Sequence, residues 1–503
     1  MLTFRLCQSV NAYFWLKNVK PENRFECLRT VVDISFSSPY LGSVFRFCIL
    51  YPVSSYISMR LSVLLILLVF WNLTTTLSAQ DPNIYHILNR EQESLQCRWD
   101  LIKQAKQEIL VSTYSIDDDA IGLGTLQLLI NAVERGVSVQ LLVDAYDNGL
   151  PDCLFTYLDD HGVQLKVFNA LNPLKFRTIV DRMHGKMLIT DNRNLIVGGR
   201  NLTERYFQLD TTINFLDREV YVVSDSAAQH ARDHFKELWN NPKLSSWKQG
   251  KLIDGQRICW QQALEQSPDI ARKRLQIAPI GQKDWEAGSN KTLQPIQFIH
   301  DNYTYKHPRK GHRWRATKDR QAARELIALV SKAEHSIDIE NPYFIPTRFW
   351  KRALKESLKR GVKIRLLTNS SYTNDLPLVQ AIYLNRRKWA LRKGIEIWEY
   401  QGVKMLHIKA MVIDDHISTI GSYNLELLSH KYNSEVMVWV DDKRIAKEHH
   451  QIMATVLKKS IPVGGKQKAS RKNLPLPTKI QRSRHRKVQL LRYTLAPIVG
   501  IIL

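Results

Sequence analysis

A polar motif that occurs twice is the feature of this 503-residue chain that most constrains its fold. Each copy reads His-x-Lys, four residues, Asp, six residues, and then Gly-Gly or Gly-Ser before x-Asn. The polar members are His184, Lys186, Asp191 and Asn201 in the first copy, and His407, Lys409, Asp414 and Asn424 in the second. Residues two apart in an extended strand share a face, so each His and its Lys point to one side. The apolar residues after each Lys predict a buried strand with the polar pair at the rim of a sheet.

The glycines of the motif predict a tight backbone turn that brings each Asn back beside its His. The resulting set suits attack on a phosphodiester. One imidazole can attack phosphorus, and the second can protonate the leaving oxygen and later activate the incoming alcohol or water. Lys186, Lys409, Asn201 and Asn424 can hold the non-bridging oxygens and stabilise the charge of the transition state. One His-x-Lys is common by coincidence, but two copies with the same later Gly and Asn favour a catalytic site.

Metal chemistry and a disulfide framework both lack support in the sequence. It contains no His, Cys and carboxylate cluster at ligand spacing and no His-Glu-x-x-His helix, so we predict no metal and no cofactor. Of six cysteines, only Cys97, Cys153 and Cys259 lie beyond residue 79, and none has C-x-x-C spacing. An odd number argues against a disulfide framework, although it is compatible with one bridge.

The doubled motif resembles the signature of the phospholipase D superfamily in the form of its two-lobed members. Longer stretches are similar to the C-type bacterial cardiolipin synthases, and these are residues 182–186, 197–202 with Tyr206 and Phe207 after them, 342–347 and 361–369. The resemblance covers about residues 85–463 and leaves out the N-terminus. It implies a phosphatidyltransferase or phospholipase D that forms a phosphohistidine on His184, with His407 as general acid and then base. Residues 428–431 depart from the longer Arg-Ser run that is frequent in the family, which leaves the acceptor open.

A carboxylate follows each motif copy, and the resemblance implies that it holds a catalytic His. Asp217 follows the first copy and Glu435 the second, while Glu219 is an alternative to Asp217. A nucleophilic His must present a bare nitrogen, so its other nitrogen must carry the proton and point at an acceptor. Asp191 and Asp414 belong to the catalytic motif but come five residues after the lysines, at the far end of the strand. We interpret them as structural anchors or lysine partners and not as proton carriers.

Helical and strand patterns alternate in the same order in both halves of the chain. The predicted class is α/β, with two phospholipase D-like α/β/α lobes related by a pseudo-two-fold and the active site at their interface. Predicted helices cover residues 98–107, 123–134, 322–333 and 349–359, and predicted strands cover 108–114, 137–143, 335–340 and 362–368. Gly136 and Gly361 are 225 residues apart and His184 and His407 are 223 apart, so the halves are in near register.

Composition divides the chain into six predicted segments. Residues 1–58 are an extension without a period, and 59–79 read as a secretory signal peptide or an uncleaved signal anchor, with translation starting at Met59. The first lobe is predicted at 83–241, an irregular inter-lobe insertion at 242–315, the second lobe at 316–463, and a basic and apolar tail at 464–503. The aromatics of the insertion, among them Trp285, either line a lipid entrance or fix the loop to the surface.

The formal charge of +24 predicts a polyanion or an anionic phospholipid membrane as the partner. Residues 466–492 hold ten Lys or Arg and no acid, and an apolar end follows, a combination that favours adsorption to anionic lipid. We predict an exported enzyme, periplasmic or associated with the inner membrane, whose substrate is a phospholipid. The alternative is a metal-independent phosphodiesterase that acts on nucleic acid, since a basic chain binds phosphate backbones. No obligate protein partner is inferred.

Overall fold

The computed structural model describes residues 5–6, 32–33, 82–170, 179–241, 244–245, 250, 252–287, 289–306, 315–464, 476–497 and 499. Within the first 81 residues it describes only a ladder of β1 (Arg5–Leu6) with β2 (Val32–Asp33). The predicted signal segment, 59–79, and most of the predicted extension lie outside the described residues. Pro82–Leu503 form one unit that contains both motif copies. Among the helices described, none has both the length and the apolar character needed to cross a membrane.

The first lobe is built on a nine-stranded mixed sheet in the order β11-β6-β5-β4-β7-β8-β10-β3-β12. The three parallel strands are β4 (Glu108–Ile116), β5 (Ser138–Asn148) and β6 (Gln164–Phe168). The antiparallel strands are β3 (Asn83–Leu88), β7 (Lys186–Thr190), β8 (Asn194–Gly198), β10 (Glu219–Val223), β11 (Leu244–Ser245) and β12 (Lys291–Thr292). Its helices are α1 (Glu91–Gln104), α2 (Ala120–Glu134), α3 (Asp152–Asp160) and α4 (Asp225–Trp239).

The second lobe has an eight-stranded sheet in the order β13-β22-β21-β20-β16-β17-β18-β23. Its parallel strands are β16 (Ser336–Glu340), β17 (Lys363–Asn369) and β18 (Glu396–Tyr400). The others are β13 (Ile296–His300), β20 (Ala410–Ile413), β21 (Ile417–Gly421), β22 (Val436–Asp441) and β23 (Ser460–Pro462). Its helices are α6 (Gln321–Lys332), α7 (Arg348–Lys359), α8 (Pro377–Arg392), the short α9 (Leu427–Lys431) and α10 (Lys443–Leu457).

Equivalent strands occupy equivalent places in the two sheets, which confirms the predicted pair of α/β lobes. The motif strand β7 lies between β4 and β8, as β20 lies between β16 and β21. Gly136 and Gly361 both follow a helix with φ of +86° and +90°, the left-handed conformation that glycine tolerates best. The alternation of helices and strands predicted only the parallel part of each sheet. The motif strands pair antiparallel because tight turns, not helices, connect them to the next strand.

The predicted irregular insertion and the tail both contain regular structure. A helix, α5 (Asp254–Leu275), packs against α2, and β13 completes the sheet of the second lobe. The polar sequence of α5, with Pro268 inside it, conceals the helix because few of its side chains are buried. Trp285 is buried and donates from Nε1 to Asp100 Oδ2 at 2.8 Å, so this aromatic fixes the segment to the first lobe. In the tail, α11 (Lys479–Tyr493) packs against α8.

The two lobes share a hydrophobic core at their junction. One apolar cluster joins side chains of β8 and β10, such as Val197 and Val220, to side chains of β21 and β22, such as Ile420 and Val438. The two sheets therefore meet through the strands that follow each motif. This contact places the polar ends of the motif strands, where each His lies, on either side of one junction.

Candidate active site

The two histidine loops are tied to the opposite lobe by backbone hydrogen bonds. The N–H of His184 donates to the carbonyl of Ser434 at 2.9 Å, and the N–H of His407 donates to the carbonyl of Leu216 at 2.8 Å. Next to the second contact, the short strands β9 (Phe215–Leu216) and β19 (Met405–Leu406) pair in parallel. Each motif His is therefore fixed against the segment that carries the other lobe's carboxylate.

Each His bonds the carboxylate that follows the other motif copy. Nδ1 of His184 lies 2.9 Å from Oε2 of Glu435, and Nδ1 of His407 lies 2.6 Å from Oδ2 of Asp217. Both carboxylates are fully buried. A carboxylate accepts the proton of Nδ1, which leaves Nε2 bare and able to act as a nucleophile or base. Nδ1 of His407 faces two groups, since Nζ of Lys409 lies 2.7 Å from it as well as Asp217. We call these two His and carboxylate pairs the crossed pairs.

Further polar groups hold each carboxylate in place. Glu435 accepts from the hydroxyls of Ser422 and Ser429, each at 2.5 Å. Asp217 accepts from the N–H of Arg218 at 2.8 Å. Neither serine is recognisable from the sequence as a site residue, because each contacts the carboxylate and not the His.

Glu219, the alternative to Asp217, faces away from the histidines. Its Oε1 pairs with the guanidinium of Arg98 at 2.7 Å, and its carboxylate also accepts from the hydroxyl of Ser94. Arg98 and Ser94 lie on α1 and Glu219 lies on β10, so these contacts join the helix to the sheet. The geometry therefore selects Asp217 as the partner of a His.

The two lysines lie beside their histidines and are almost completely buried. Lys186 donates from Nζ to the carbonyl of His184 at 2.5 Å, and Lys409 donates to the carbonyl of His407. The Lys186 ammonium also lies 5.1 Å from the ring centre of Tyr114. Burial lowers the pKa of Lys186 to about 7 and the pKa of Lys409 to about 8.

Burial also favours neutral imidazoles. It lowers the pKa of His184 below its usual value and the pKa of His407 to about 3, with the Lys409 charge as the second cause for His407. Burial by itself would raise the pKa of Asp217, but the Lys409 charge and the hydrogen bond with His407 bring it below its usual value. Asp217 is therefore the ionised acceptor of its crossed pair, and the bare Nε2 of a neutral His is available for chemistry.

The two asparagines of the motif are buried. Asn201 accepts from the N–H of Ser115 at 3.2 Å and donates to the hydroxyl of Tyr206 at 2.9 Å. Asn424 donates its backbone N–H to Ser429 Oγ at 3.2 Å, and its buried Oδ1 has no partner among the described residues. Their assignment as phosphate ligands stays a prediction.

Asp191 and Asp414 lie at the far ends of the motif strands and do not join the histidines. Asp191 accepts from the backbone N–H groups of residues 106, 107 and 108, and Asp414 accepts from those of 334, 335 and 336. Both residues have positive φ, 53° and 51°. These contacts are with backbone groups and not with the motif lysines, so the anchor interpretation fits and the lysine-partner interpretation does not. The listing of Asp191 and Asp414 as catalytic residues stays a prediction, and these contacts give both residues an anchoring role.

Aromatic rings surround the two imidazoles. The ring centre of Tyr114 lies 5.2 Å from that of His184. The rings of Phe215, Tyr206 and Tyr343 lie 5.2, 5.4 and 6.5 Å from that of His407. Burial raises the pKa of Tyr206 and that of Tyr343 well above the usual range, so both hydroxyls stay protonated. Tyr206 and Tyr343 lie in stretches that resemble the family, but no separate feature of the sequence indicated that they surround a His. Tyr114 and Phe215 were not predicted as site residues.

Gly199 lies against the Asp217 carboxylate. A Cβ at this position would overlap both oxygens of that carboxylate, and φ of Gly199 lies outside the left-handed region. The backbone bends at Gly199 without a left-handed φ, so close approach to Asp217, and not backbone conformation, excludes a side chain here. The equivalent residue of the second copy is Ser422, whose hydroxyl donates to Glu435.

We expect Gly199→Ala to displace Asp217 from His407. A misplacement of about 1 Å in a catalytic group lowers the rate on the order of 10²-fold, and we expect a loss of that size in kcat. The check is kcat together with thermal stability, with Gly255→Ala as the control, because a Cβ at that position meets nothing within 4 Å. Wild-type kcat in a folded Gly199→Ala protein would contradict the close-approach argument.

A model of the family described as cardiolipin synthase, PLD-like domain, matches residues 99–239 and 326–457. The chain belongs to this family. It is an enzyme of the phospholipase D superfamily, with one family domain in each lobe. The match covers both copies of the motif and both carboxylates of the crossed pairs.

Curated relatives extend the similarity across both lobes. Cardiolipin synthase C of Escherichia coli is 26% identical over 395 residues, which are 72% of this chain and 82% of the relative. Cardiolipin synthase B of Salmonella typhi is 23% identical over 374 residues, 72% of this chain and 78% of the relative. A crystal structure of phosphatidylserine synthase from Haemophilus influenzae has a TM-score of 0.57 at 14% identity and covers 84% of this chain and 98% of its own. That likeness confirms the phospholipase D-like α/β fold.

Neither a metal cluster nor a disulfide is found in the part of the chain that the structure describes. The described residues contain no group of three or more His, Cys, Asp or Glu that could hold a metal ion. Cys97, Cys153 and Cys259 are free thiols, so the single bridge that their number would permit is not formed.

Proposed function

We propose that the protein transfers a phosphatidyl group from a phospholipid to an alcohol acceptor such as phosphatidylglycerol, or to water, through a phosphohistidine. The observation that carries the proposal is the arrangement of the crossed pairs. Each imidazole contacts a carboxylate through Nδ1, which keeps its Nε2 for chemistry at the junction of the two lobes. The names of the relatives, cardiolipin synthases C and B, support a phospholipid substrate.

In the first step, Nε2 of His184 attacks phosphorus of the donor and the bond from phosphorus to the leaving alcohol breaks. His407 is neutral in the free protein, so its Nε2 must first take a proton from solvent, which the nearby anionic phosphodiester favours. That proton then passes to the leaving oxygen. Glu435 stabilises the positive charge that develops on the His184 ring, because its carboxylate accepts from Nδ1. The products of this step are the free alcohol and a phosphatidyl group bound to His184.

In the second step, His407 removes a proton from the acceptor alcohol or from water. The oxygen attacks phosphorus, the bond from phosphorus to Nε2 of His184 breaks, and the new phosphodiester leaves. Lys186 and Lys409, with the amides of Asn201 and Asn424, would hold the non-bridging oxygens throughout. Both lysines donate to the carbonyl of the neighbouring catalytic His, which supports a role for their charge beside the reacting phosphate.

One set of assays tests the substrate class. The purified protein is incubated with phosphatidylglycerol vesicles, with and without phosphatidylethanolamine, and separately with plasmid DNA. We expect a phosphatidyl-transfer or phosphatidic acid product from lipid and no cleavage of DNA. With His184→Asn we expect no lipid product either. Cleavage of plasmid DNA without any lipid product would favour the nucleic-acid alternative, which the charge of +24 supports.

With a donor such as phosphatidyl p-nitrophenol, whose leaving group needs no proton from His407, the pH dependence of kcat/KM follows from His184 and Lys186. His184 must be neutral to attack and burial lowers its pKa, so activity should fall only below about pH 6.5. Lys186 must be protonated to hold phosphate and burial lowers its pKa to about 7, so kcat/KM should fall as the pH rises above that value. The profile should therefore be bell-shaped, and in kcat the basic limb should move to higher pH because bound phosphate favours the charged lysine. A kcat/KM that keeps rising from pH 7 to 9 would contradict the role of Lys186.

We further propose that the protein is exported and works at an anionic bilayer. The outward face of α11 supports this, since Lys479, Arg482, Arg486 and Lys487 are exposed beside Leu490. Sequencing of the mature N-terminus decides the route, with a start near residue 80 expected for a cleaved signal and a start within 1–58 contradicting the proposal. Salt should release a cleaved form from anionic vesicles more readily than an anchored form, because salt screens surface charge.

A further inference from the structure

The residue before each catalytic His is held by a side chain from the second parallel strand of its lobe. The N–H of Met183 donates to Oδ2 of Asp144 at 2.8 Å, and the N–H of Leu406 donates to Oδ1 of Asn369 at 2.9 Å. Asp144 pairs in register with the last residue of β6 and Asn369 with the last residue of β18. The two positions are 225 apart, the same offset as Gly136 and Gly361, so they are equivalent.

The two lobes hold this peptide with different chemistry. Asn369 clamps both polar groups of Leu406, because its amide also donates from Nδ2 to the Leu406 carbonyl at 2.7 Å. Asp144 makes no second bond to the Met183 peptide, and its fully buried carboxylate instead pairs with the Arg182 guanidinium at 2.9 Å. Arg182 in turn donates to the carbonyls of Asp181 and Asn169 at 3.0 and 2.7 Å. The residue equivalent to Arg182 in the second lobe is Met405, which has no charge.

A second effect distinguishes Asp144 from Asn369. Burial lowers the pKa of Lys186, and the negative charges that oppose this effect include Asp144. Burial raises the pKa of Asp144 itself to about 7, so this support for the charged lysine is present only where Asp144 is ionised. The equivalent amide in the second lobe is neutral at any pH, and Asp375 is one of the carboxylates that support Lys409 there.

We propose that Asp144 and Asn369 are positioning residues that set the two catalytic histidines independently, Asp144 for attack by His184 and Asn369 for proton transfer by His407. The division between the two steps rests on the proposed function. The positioning itself rests on the hydrogen bonds to Met183 and Leu406 and can be tested without turnover.

The test without turnover observes the Nδ1 protons of the two histidines. The full chain is labelled with ¹⁵N-histidine, and the downfield proton signals are assigned with His184→Asn and His407→Asn. We expect Asp144→Asn to shift or broaden the His184 signal alone and Asn369→Ala to do so for His407 alone. Independent positioning would be overturned if one variant disturbed both histidine signals, or if a variant left both signals unchanged.

The same variants are measured in the reaction with a donor whose leaving group needs no proton, such as a phosphatidyl p-nitrophenol. Asp144→Asn should lower the rate of the initial burst by about 10- to 100-fold, since small misplacements of a nucleophile have effects of this order. Asn369→Ala should leave the burst near the wild-type rate and slow the steady state. A slowed burst in both variants would refute the division between steps.

Two further variants separate positioning from stability. Asp100→Asn is the matched control, because Asp100 is a fully buried carboxylate of the same lobe that accepts from Gln96, Gly281 and Trp285. It should lower thermal stability without moving either Nδ1 signal. Asp144→Asn combined with Arg182→Met copies the second lobe into the first, and it should restore the His184 signal that Asp144→Asn alone disturbs.

The outcomes keep the two proposals apart. If Asp144→Asn lowers stability as Asp100→Asn does but leaves the His184 signal and the burst unchanged, Asp144 is only structural and the inference fails. If the wild-type protein transfers no phosphatidyl group while the signals respond in each lobe as expected, the proposed function fails and the positioning role remains.

Discussion

Replacement of His184 by Asn is expected to abolish the covalent intermediate, whereas replacement of His407 by Asn is expected to preserve it under one condition. With a radiolabelled natural donor both variants should be nearly inactive, because loss of a general acid and base costs about 10²- to 10⁴-fold and loss of the nucleophile should cost more. With a phosphatidyl p-nitrophenol, which leaves without a proton, His407→Asn should still accept label. The label should then accumulate, because no base activates the acceptor.

The measurement is radiolabelled phosphorus that stays on the denatured protein in base and is lost in acid, as expected of a bond from phosphorus to an imidazole nitrogen, with each variant compared at equal folded concentration. Wild-type protein and the double variant His184→Asn with His407→Asn provide the upper and lower references. Label on His184→Asn together with none on His407→Asn would reverse the assignment of the two roles. Label on neither variant and none on wild type, at full wild-type turnover, would contradict a covalent mechanism.

The duplicated motif predicted the architecture because each copy specifies its own short segment of backbone. The apolar run after each Lys specifies a buried strand. Gly136 and Gly361 are separated by almost the same number of residues as the two motif histidines, which reveals two lobes in register. The strand β13 was not predicted, although it completes the second sheet, because it lies in a polar stretch far from its partner β22. The α5 helix was missed for a related reason: its sequence shows little contrast between a buried and an exposed face.

The crossed pairs show where local reasoning ends. Sequence order places Asp217 with the first motif copy and Glu435 with the second, and nothing in the spacing reports that each reaches the other lobe's His. The exchange depends on the parallel contact of β9 with β19, whose residues are 190 apart along the chain. Asp144 and Asn369 were missed as well, since they act on backbone groups and lie on apolar strands without a motif.

Sequence order would pair Asp217 with the attack by His184 and Glu435 with proton transfer by His407. Because the pairs are crossed, we expect each carboxylate to control the other step. Asp217 bonds His407, so Asp217→Asn should impair proton transfer, and an amide in place of a carboxylate at Nδ1 can cost up to about 10⁴-fold in kcat, as in serine proteases. Glu435 bonds His184, so Glu435→Gln should impair the attack itself. With a natural donor both variants should lose most of their turnover.

The phosphatidyl p-nitrophenol donor separates them, because its first step needs the nucleophile but no acid. Asp217→Asn should keep a burst of p-nitrophenolate close to one per active site and then stall, while Glu435→Gln should lose the burst. Glu219→Gln is the matched control, since this buried carboxylate lies two residues from Asp217 but pairs with Arg98 and contacts neither His. It should retain both burst and turnover in whatever fraction of the protein folds. A burst that survives in Glu435→Gln and disappears in Asp217→Asn would contradict this prediction. It would mean either that each carboxylate serves the His of its own lobe or that His407 is the nucleophile. Labelling of the single His variants distinguishes these two explanations.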